Sequence, residues 1–133
     1  MPFLLDSNIV IPQLQNDTET LKLLERLVQE GVLISVISLM EAYQGVILDP
    51  RPDHARSQFH VLLRGIDVIP VSESIALRCT EIRAELQRNG KRVRPRALDL
   101  LITATAIEHN LTLVTRNQAD YADTSGLTLF NDF

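Results

Sequence analysis

Short apolar runs that suit buried strands alternate along this chain with longer segments of helical periodicity. The run VLISVI (32–37) is apolar apart from one serine and rich in β-branched residues, which is typical of a strand buried on both faces. The segment before it places leucines at helical spacing, with Asp17 or Thr18 as a cap and Gly31 just past the end. Because parallel strands need long crossover connections, this alternation predicts an α/β fold with a mainly parallel sheet.

The same periodicity assigns elements to the whole chain. Strands are predicted at 3–5, 32–37, 68–71, 111–115 and 127–130, and helices at 18–30, 38–48, 53–65, 72–90 and 96–110. The chain has 133 residues, which is enough for one ordinary domain and too few for two. We therefore predict a single domain over 1–133, without an internal repeat or a linker.

Composition excludes several classes of protein. No apolar run approaches the roughly 18 residues that a membrane helix needs, and the N-terminus lacks the basic and apolar regions of a signal peptide. The single cysteine, Cys79, has no internal partner for a disulfide, which fits a reducing compartment. We expect a cytoplasmic protein with no membrane association.

Four acidic residues recur close to the ends of predicted elements. Asp6 ends the first strand, Glu41 lies in the first turn of the helix after the second strand, and Asp99 begins the helix before 111–115. Asp120 lies in the loop that follows that strand. Ligands of open parallel sheets bind beyond the carboxyl ends of the strands, so the fold is expected to gather these acids into one site.

Each acid also has a purely structural explanation. Asp6 suits a turn or a helix cap, and Ser38 with Glu41 matches a capping box. Asp99 favours a helix N-terminus electrostatically, and Asp120 is then an ordinary loop acid. Asp99 is the sharpest exception, because it precedes the otherwise apolar LLITATAI.

Taken together, the acids favour a hard metal ion. Carboxylates crowded into one cleft raise each other's pKa values, and a divalent cation relieves that repulsion. An all-oxygen ligand set without converging histidine or cysteine suits Mg²⁺ or Mn²⁺ rather than zinc. Such an ion polarises phosphoryl oxygens and lowers the pKa of bound water, so phosphoester chemistry is the expected reaction class.

The charge distribution leaves nucleic-acid binding open. The formal net charge is −4, whereas nucleic-acid binders are usually basic. The segment RNGKRVRPR (88–96), however, contains five basic residues and no acid. It is either a solvated loop or an arm that contacts phosphates, with Arg92 and Arg94 as candidates for those contacts.

Four stretches carry a resemblance to a known family. FLLDSNIVI, ISVISLMEAYQG, ALDLLITATAIEHNLTLVTRNQADY and the closing GLTLFND resemble the PIN-domain ribonucleases. More narrowly, they resemble a VapC-type toxin of a type II toxin–antitoxin pair. The resemblance covers essentially the whole chain, and it implies a three-layer α/β/α domain with a short central sheet.

The resemblance also implies an activity and a set of site residues. It implies a Mg²⁺- or Mn²⁺-dependent endoribonuclease in which Asp6, Glu41 and Asp99 match the first three family acids. Asp6 and Asp99 would hold the metal directly. Asp120 is assigned the fourth role, with Asn117 beside it at a position where some relatives carry an aspartate.

Further residues and partners follow from the same resemblance. Ser7 and Thr115 match positions where small hydroxyl residues line the site, and Arg116 contacts a phosphate, packs against a helix or forms a salt bridge. RNA is the implied substrate. A VapB-type antitoxin would lay a segment across the acidic groove and present an arginine to it, and a homodimer would use the apolar faces of the helices at 18–30 and 38–48.

Two other classes of protein remain possible at this point. A non-catalytic PIN-like module that binds a partner protein would use the acids only as caps. A receiver-like domain also clusters acids at strand ends, but it needs an acidic pair after its first strand and a lysine after a late one. Here the first strand ends in the single Asp6, and the late position is Thr115-Arg116.

Overall fold

The computed structural model describes residues 2–11 and 17–131, which contain one five-stranded sheet. All four strand pairs are parallel, and the order across the sheet is β3-β2-β1-β4-β5. The strands are β1 (Phe3–Leu5), β2 (Val32–Ser35), β3 (Asp67–Ile69), β4 (Thr112–Val114) and β5 (Thr128–Leu129). The predicted parallel sheet is confirmed.

Helices connect the strands and cover the sheet. They are α1 (Ser7–Val10), α2 (Thr18–Glu30), α3 (Val36–Ile47), α4 (Pro52–Leu63), α5 (Glu73–Arg88) and α6 (Ala97–Glu108). Short 3₁₀ turns lie at Arg94–Arg96 and Gln118–Asp120. No helix within the described ranges is long and apolar enough to cross a membrane.

The sheet is buried on both faces. Leu4 packs into one core with residues of α5 and α6, while its neighbour Leu5 packs into a second core with residues of α2, α3 and α4. Successive side chains of a strand point to opposite faces, so the apolar residues of β1 pack into both cores. This arrangement confirms the three-layer α/β/α fold.

The strand order creates a switch point between β1 and β4. The chain moves outward from β1 through β2 to β3 and then returns to the other side of β1. Leu5 is paired with Val114 at the carboxyl ends of these two strands, and the next residues are Asp6 and Thr115. Ligands of such sheets bind at this crevice. A receiver-like domain would have the order 2-1-3-4-5, so that alternative is wrong.

The capping box predicted at Ser38 and Glu41 is also wrong. β2 ends at Ser35 rather than at residue 37, and the Ser35 hydroxyl accepts a hydrogen bond from the Ile37 N–H at 3.1 Å. Ser35 is therefore the N-cap of α3, while Ser38 is buried inside the helix. Because α3 begins at Val36, Glu41 lies in its second turn and not in its first.

Other boundaries follow local chemistry. Asp17 caps α2 through a hydrogen bond from the Glu19 N–H at 3.1 Å, as predicted. The helix ends at Gly31, whose φ of 104° suits a residue without Cβ. β3 stops before Pro70, which lacks the N–H that a further ladder bond requires. The short helix α1 was not predicted.

Candidate functional site

Asp6 lies at the centre of a buried polar network at the carboxyl edge of the sheet. Its side chain is only 5% exposed. Oδ1 accepts a hydrogen bond from the Ser7 N–H at 2.7 Å and thereby caps α1. Oδ2 accepts from the Thr115 hydroxyl at 2.7 Å, from the Tyr121 hydroxyl at 3.2 Å and from the Asn8 amide at 3.4 Å. Asp6 is thus both a cap and the acceptor around which the site is built.

Thr115 and Asn8 join the ends of β1 and β4. The fully buried Thr115 hydroxyl donates to Asp6 and accepts from the Asn8 side chain at 3.2 Å and from the Asn117 N–H at 3.1 Å. The side-chain oxygen Oδ1 of Asn8 accepts from the Arg116 backbone N–H at 3.2 Å. These bonds fix Asp6 relative to the loop after β4.

Asp99 reaches the same network from α6. It is the third residue of that helix, and its Oδ1 accepts a hydrogen bond from the Tyr121 hydroxyl at 3.2 Å. Burial raises the pKa of Asp99, and the nearby charge of Asp6 raises it further, while the Tyr121 hydrogen bond acts in the opposite direction. Asp99 therefore faces Asp6 and is not simply a helix-terminal charge.

Glu41 approaches the two aspartates from α3. Burial raises the pKa of its carboxyl, and the charges of Asp6 and Asp99 raise it further. A hydrogen bond with the Ser7 side chain partly offsets this increase in the pKa. Three carboxylates from three different elements consequently repel one another across one crevice.

Asp120 and Asn117 lie in the loop after β4. Both are exposed, and both are tied to the loop through their backbone, since the Asp120 N–H donates to the Asn117 carbonyl oxygen at 3.0 Å. The charge of Asp120 contributes to the raised pKa of Asp99, but less than Asp6 does. Asp120 is thus close enough to Asp99 to act on it electrostatically.

The basic segment divides into two parts. Arg96 donates to both carboxylate oxygens of Asp123, at 2.9 and 2.8 Å, and to the Asp120 carbonyl oxygen at 2.9 Å. Lys91 also approaches Asp123, at 3.9 Å. Arg92 and Arg94, by contrast, are exposed and form no ion pair with any described residue.

Arg116 forms a salt bridge, which is one of the three roles that the sequence allows it. Its Nη2 lies 3.1 Å from Asp17 Oδ2 and also donates to the Thr20 hydroxyl. These contacts hold the residue after Thr115 against the N-terminus of α2. A cavity of about 510 Å³ beside this contact is also lined by Lys22 and Arg26.

Three residues of the network were not among the predicted site residues. In the sequence, Asn8 and Tyr121 are parts of the stretches that resemble the family, and Arg96 is one charge of the basic segment 88–96. No local pattern marks Tyr121 or Arg96, because they act through contacts with residues distant in sequence. The order of polar residues after each strand, DSN and TRN, is the signal that points to Asn8.

The oxygen atoms that the site offers suit a hard cation. The structure allows only a small number of residues to bind that cation directly. Asp6, Asp99 and Glu41 supply only oxygen atoms, and their mutual repulsion is relieved by positive charge. Within residues 2–11 and 17–131, no three acidic, histidine or cysteine side chains stand close enough to enclose an ion. Mg²⁺ commonly binds through one or two carboxylates and keeps several waters, so two direct ligands suffice.

Replacing Thr115 with valine tests the network itself. Thr115→Val removes a donor to the buried Asp6 carboxylate and takes one acceptor from two further donors, the Asn8 side-chain amide and the Asn117 N–H. We expect the free energy of unfolding to fall by about 1–3 kcal/mol, the usual cost of unsatisfied buried polar groups, in urea denaturation. Thr105→Val is the matched control, since this buried hydroxyl bonds only to the Leu101 carbonyl oxygen of its own helix. Equal losses in both variants would contradict the network.

Comparison with known proteins agrees with the fold. The PIN domain family matches residues 3–126, and the chain belongs to that family. Relatives of the chain include proteins named VapC and a toxin named FitB. The chain is 30% identical to the tRNA(fMet)-specific endonuclease VapC of Shigella flexneri, over 96% of this chain and 95% of the relative.

Solved structures give the same result. The chain superposes with a TM-score of 0.86 on a chain from VapBC2 of Rickettsia felis bound to a promoter DNA fragment, at 29% identity over 98% of each chain. It superposes with a TM-score of 0.85 on a chain from DNA-bound VapBC of Salmonella typhimurium, at 27% identity over 98% of this chain and 97% of that one. The resemblance to VapC-type PIN domains is therefore confirmed.

Proposed function

We propose that this chain is a metal-dependent endoribonuclease and the toxin of a type II toxin–antitoxin pair. The observation that carries the proposal is the convergence of Asp6, Asp99 and Glu41 at the β1–β4 switch point, where α/β sheets bind ligands. The VapC-type relatives, one of which is named as a tRNA endonuclease, support the same reaction class. The class of RNA that this chain cuts is a separate question.

Asp6 and Asp99 would hold one Mg²⁺ or Mn²⁺ directly. Glu41 and Asp120 would complete the cluster through water or a second ion, with Asn117 as a polar neighbour. When bound, the cation polarises the phosphodiester, lowers the pKa of a coordinated water and stabilises the leaving oxygen. The network of Thr115, Asn8 and Ser7 keeps Asp6 fixed in orientation while the substrate binds.

Exposed basic side chains would offset the repulsion between RNA and the negatively charged crevice. Arg92 and Arg94 are free of ion pairs with the described residues, so they are the first candidates. The Arg92→Ala/Arg94→Ala double variant should bind RNA more weakly, and its salt slope should flatten by about 1.4, since each phosphate contact on a single strand contributes about 0.7. Fluorescence anisotropy with a labelled RNA in Ca²⁺, at several salt concentrations, measures both quantities.

Arg51→Ala/Arg64→Ala is the control for this test. It removes the same charge from two exposed arginines at the ends of α4. A salt slope that falls equally in both double variants would show that net charge matters and that Arg92 and Arg94 have no specific role.

Two protein partners belong to the proposal. A VapB-type antitoxin would place a basic side chain against the three acids, and structures that the chain resembles are of VapBC. A second copy of the chain would pack on α3, whose outer face exposes Met40 by 51% and Ile47 by 56%.

We place the activity in the cytoplasm, where RNA is available and a lone Cys79 remains reduced.

Incubation of the purified protein with RNA tests the proposal. Cleavage should require Mg²⁺ or Mn²⁺, stop with EDTA and resume when the cation is restored. The fragments should lack 2′,3′-cyclic phosphate, because water and not the 2′-hydroxyl is the nucleophile; this end chemistry separates the activity from common contaminating ribonucleases. Intact RNA in the presence of either metal would contradict the proposal and favour the non-catalytic binding module.

A further inference from the structure

Tyr121 connects the two central carboxylates. Its hydroxyl lies 3.2 Å from Asp6 Oδ2 and 3.2 Å from Asp99 Oδ1, and the residue is only 2% exposed. Asp6 follows β1 and Asp99 belongs to α6, so no element of secondary structure sets the separation of their side chains. The phenol is the one described side chain that hydrogen-bonds to both.

The hydroxyl has one proton, which it shares between one oxygen of each carboxylate, and it leaves the other two oxygens free to accept further bonds. On Asp6 it shares Oδ2 with Thr115 and Asn8, while Oδ1 accepts only the Ser7 N–H. On Asp99 it bonds to Oδ1, and no described residue donates to Oδ2. A carboxylate oxygen has two acceptor positions. Asp6 Oδ1 and Asp99 Oδ2 therefore retain lone pairs while the tyrosine bonds are in place.

Arg96, which lies just before the helix that carries Asp99, also restricts the position of the Tyr121 hydroxyl. Arg96 precedes α6 and bonds to residues on both sides of Tyr121, namely the Asp120 carbonyl oxygen at 2.9 Å and the Asp123 carboxylate at 2.8 Å. Because the ring is buried and the flanking backbone is held, the hydroxyl has little freedom to leave the two carboxylates.

We propose that Tyr121 is a positioning residue that sets the separation and orientation of Asp6 and Asp99 for a divalent cation. The inference rests on the proposed function, because it assumes that these two residues are the ligands. A phenylalanine would fill the same volume and leave the two carboxylates without their shared donor. The hydroxyl, and not the ring, then accounts for part of the cation affinity.

Calorimetric titration with Mn²⁺ tests the proposal in the wild type, Tyr121→Phe and Tyr43→Phe. Hydrogen-bond partners that orient metal ligands are typically worth about 10–100-fold in metal affinity, so Tyr121→Phe should bind Mn²⁺ at least about 10-fold more weakly. Tyr43→Phe makes the same chemical change at the only other tyrosine, whose hydroxyl accepts from Arg56 at 3.1 Å. It should keep the wild-type affinity.

Near-ultraviolet difference absorption supplies a second measurement. The chain has two tyrosines and no tryptophan, so a change near the carboxylate pair is visible without a strong background. Mg²⁺ should shift the tyrosine absorption of the wild type and of Tyr43→Phe, and it should leave Tyr121→Phe unchanged. A structural role confined to packing of the ring predicts no such difference.

The outcomes separate this inference from the proposed function. Wild-type affinity in Tyr121→Phe, with wild-type protein that binds Mn²⁺ tightly, overturns the positioning role and leaves the proposed function intact. A wild-type protein that binds no Mn²⁺ contradicts both. Weaker binding in Tyr121→Phe alone, with the spectral change lost, supports the positioning role.

Discussion

Asp99→Asn should reduce metal-dependent RNA cleavage by about 1,000-fold or more. The substitution keeps the size of the side chain and one acceptor oxygen for Tyr121, but it removes the charge that would hold the cation. A loss of about 4 kcal/mol in transition-state stabilisation corresponds to this factor, and a bound metal contributes several kcal/mol of that kind. Single-turnover cleavage of a labelled RNA measures the effect.

The fold of this variant should survive. Asp99 is one of three carboxylates that repel one another, so a neutral amide relieves part of that repulsion. In metal-free buffer the melting temperature should be equal to or above that of the wild type. Asp67→Asn is the control, because Asp67 is exposed at the start of β3, at the opposite edge of the sheet. If Asp99→Asn cleaves as fast as this control, Asp99 has no catalytic role.

Asp6→Asn should abolish cleavage to the same degree and should also destabilise the protein. The Asp6 carboxylate accepts four hydrogen bonds, whereas an asparagine offers one acceptor oxygen and turns an NH₂ group toward the remaining donors. Loss of buried acceptors costs about 1–3 kcal/mol. Urea denaturation and RNA cleavage, measured on the same preparation, give both effects.

Asp17→Asn separates capping from the function of the site. Asp17 caps α2 as Asp6 caps α1, and asparagine is as good an N-cap as aspartate. If Asp6 acted only as a cap, both variants would remain stable and active. We expect activity to be retained in Asp17→Asn and lost in Asp6→Asn, and retained activity in both would remove Asp6 from the site.

The fold was largely predictable because its signals are local. The β-rich runs, the helical spacing of leucines in α2 and the residues Asp17 and Gly31 mark their elements in the sequence itself. The errors arose where two local signals compete. Ser35 and Ser38 are both possible caps, and burial of Ser38 inside α3 is decided by packing that no short window contains. Helix α1 is too short to show a period.

From the sequence, the position of a site residue could be predicted only where that residue directly follows a strand. Asp6 could be located because a parallel sheet gathers the carboxyl ends of its strands at one edge. Asp99 is carried by α6 instead, so this rule alone does not bring it to Asp6. Tyr121 is different, since its contact with Asp6 joins residues 115 positions apart. The same holds for Arg96, whose partners lie 24 and 27 residues away. The assignment of Asp120 as the fourth acid stays a prediction.

The dependence of the cleavage rate on Mg²⁺ tests the central claim most directly. The rate on one RNA should be measured over a series of Mg²⁺ concentrations for the wild type and for the Asp6→Asn/Asp99→Asn double variant. The wild-type rate should rise with Mg²⁺ to a plateau, and the double variant should stay at background throughout. A double variant that follows the wild-type curve would contradict the assignment of this carboxylate pair as the metal-dependent nuclease site.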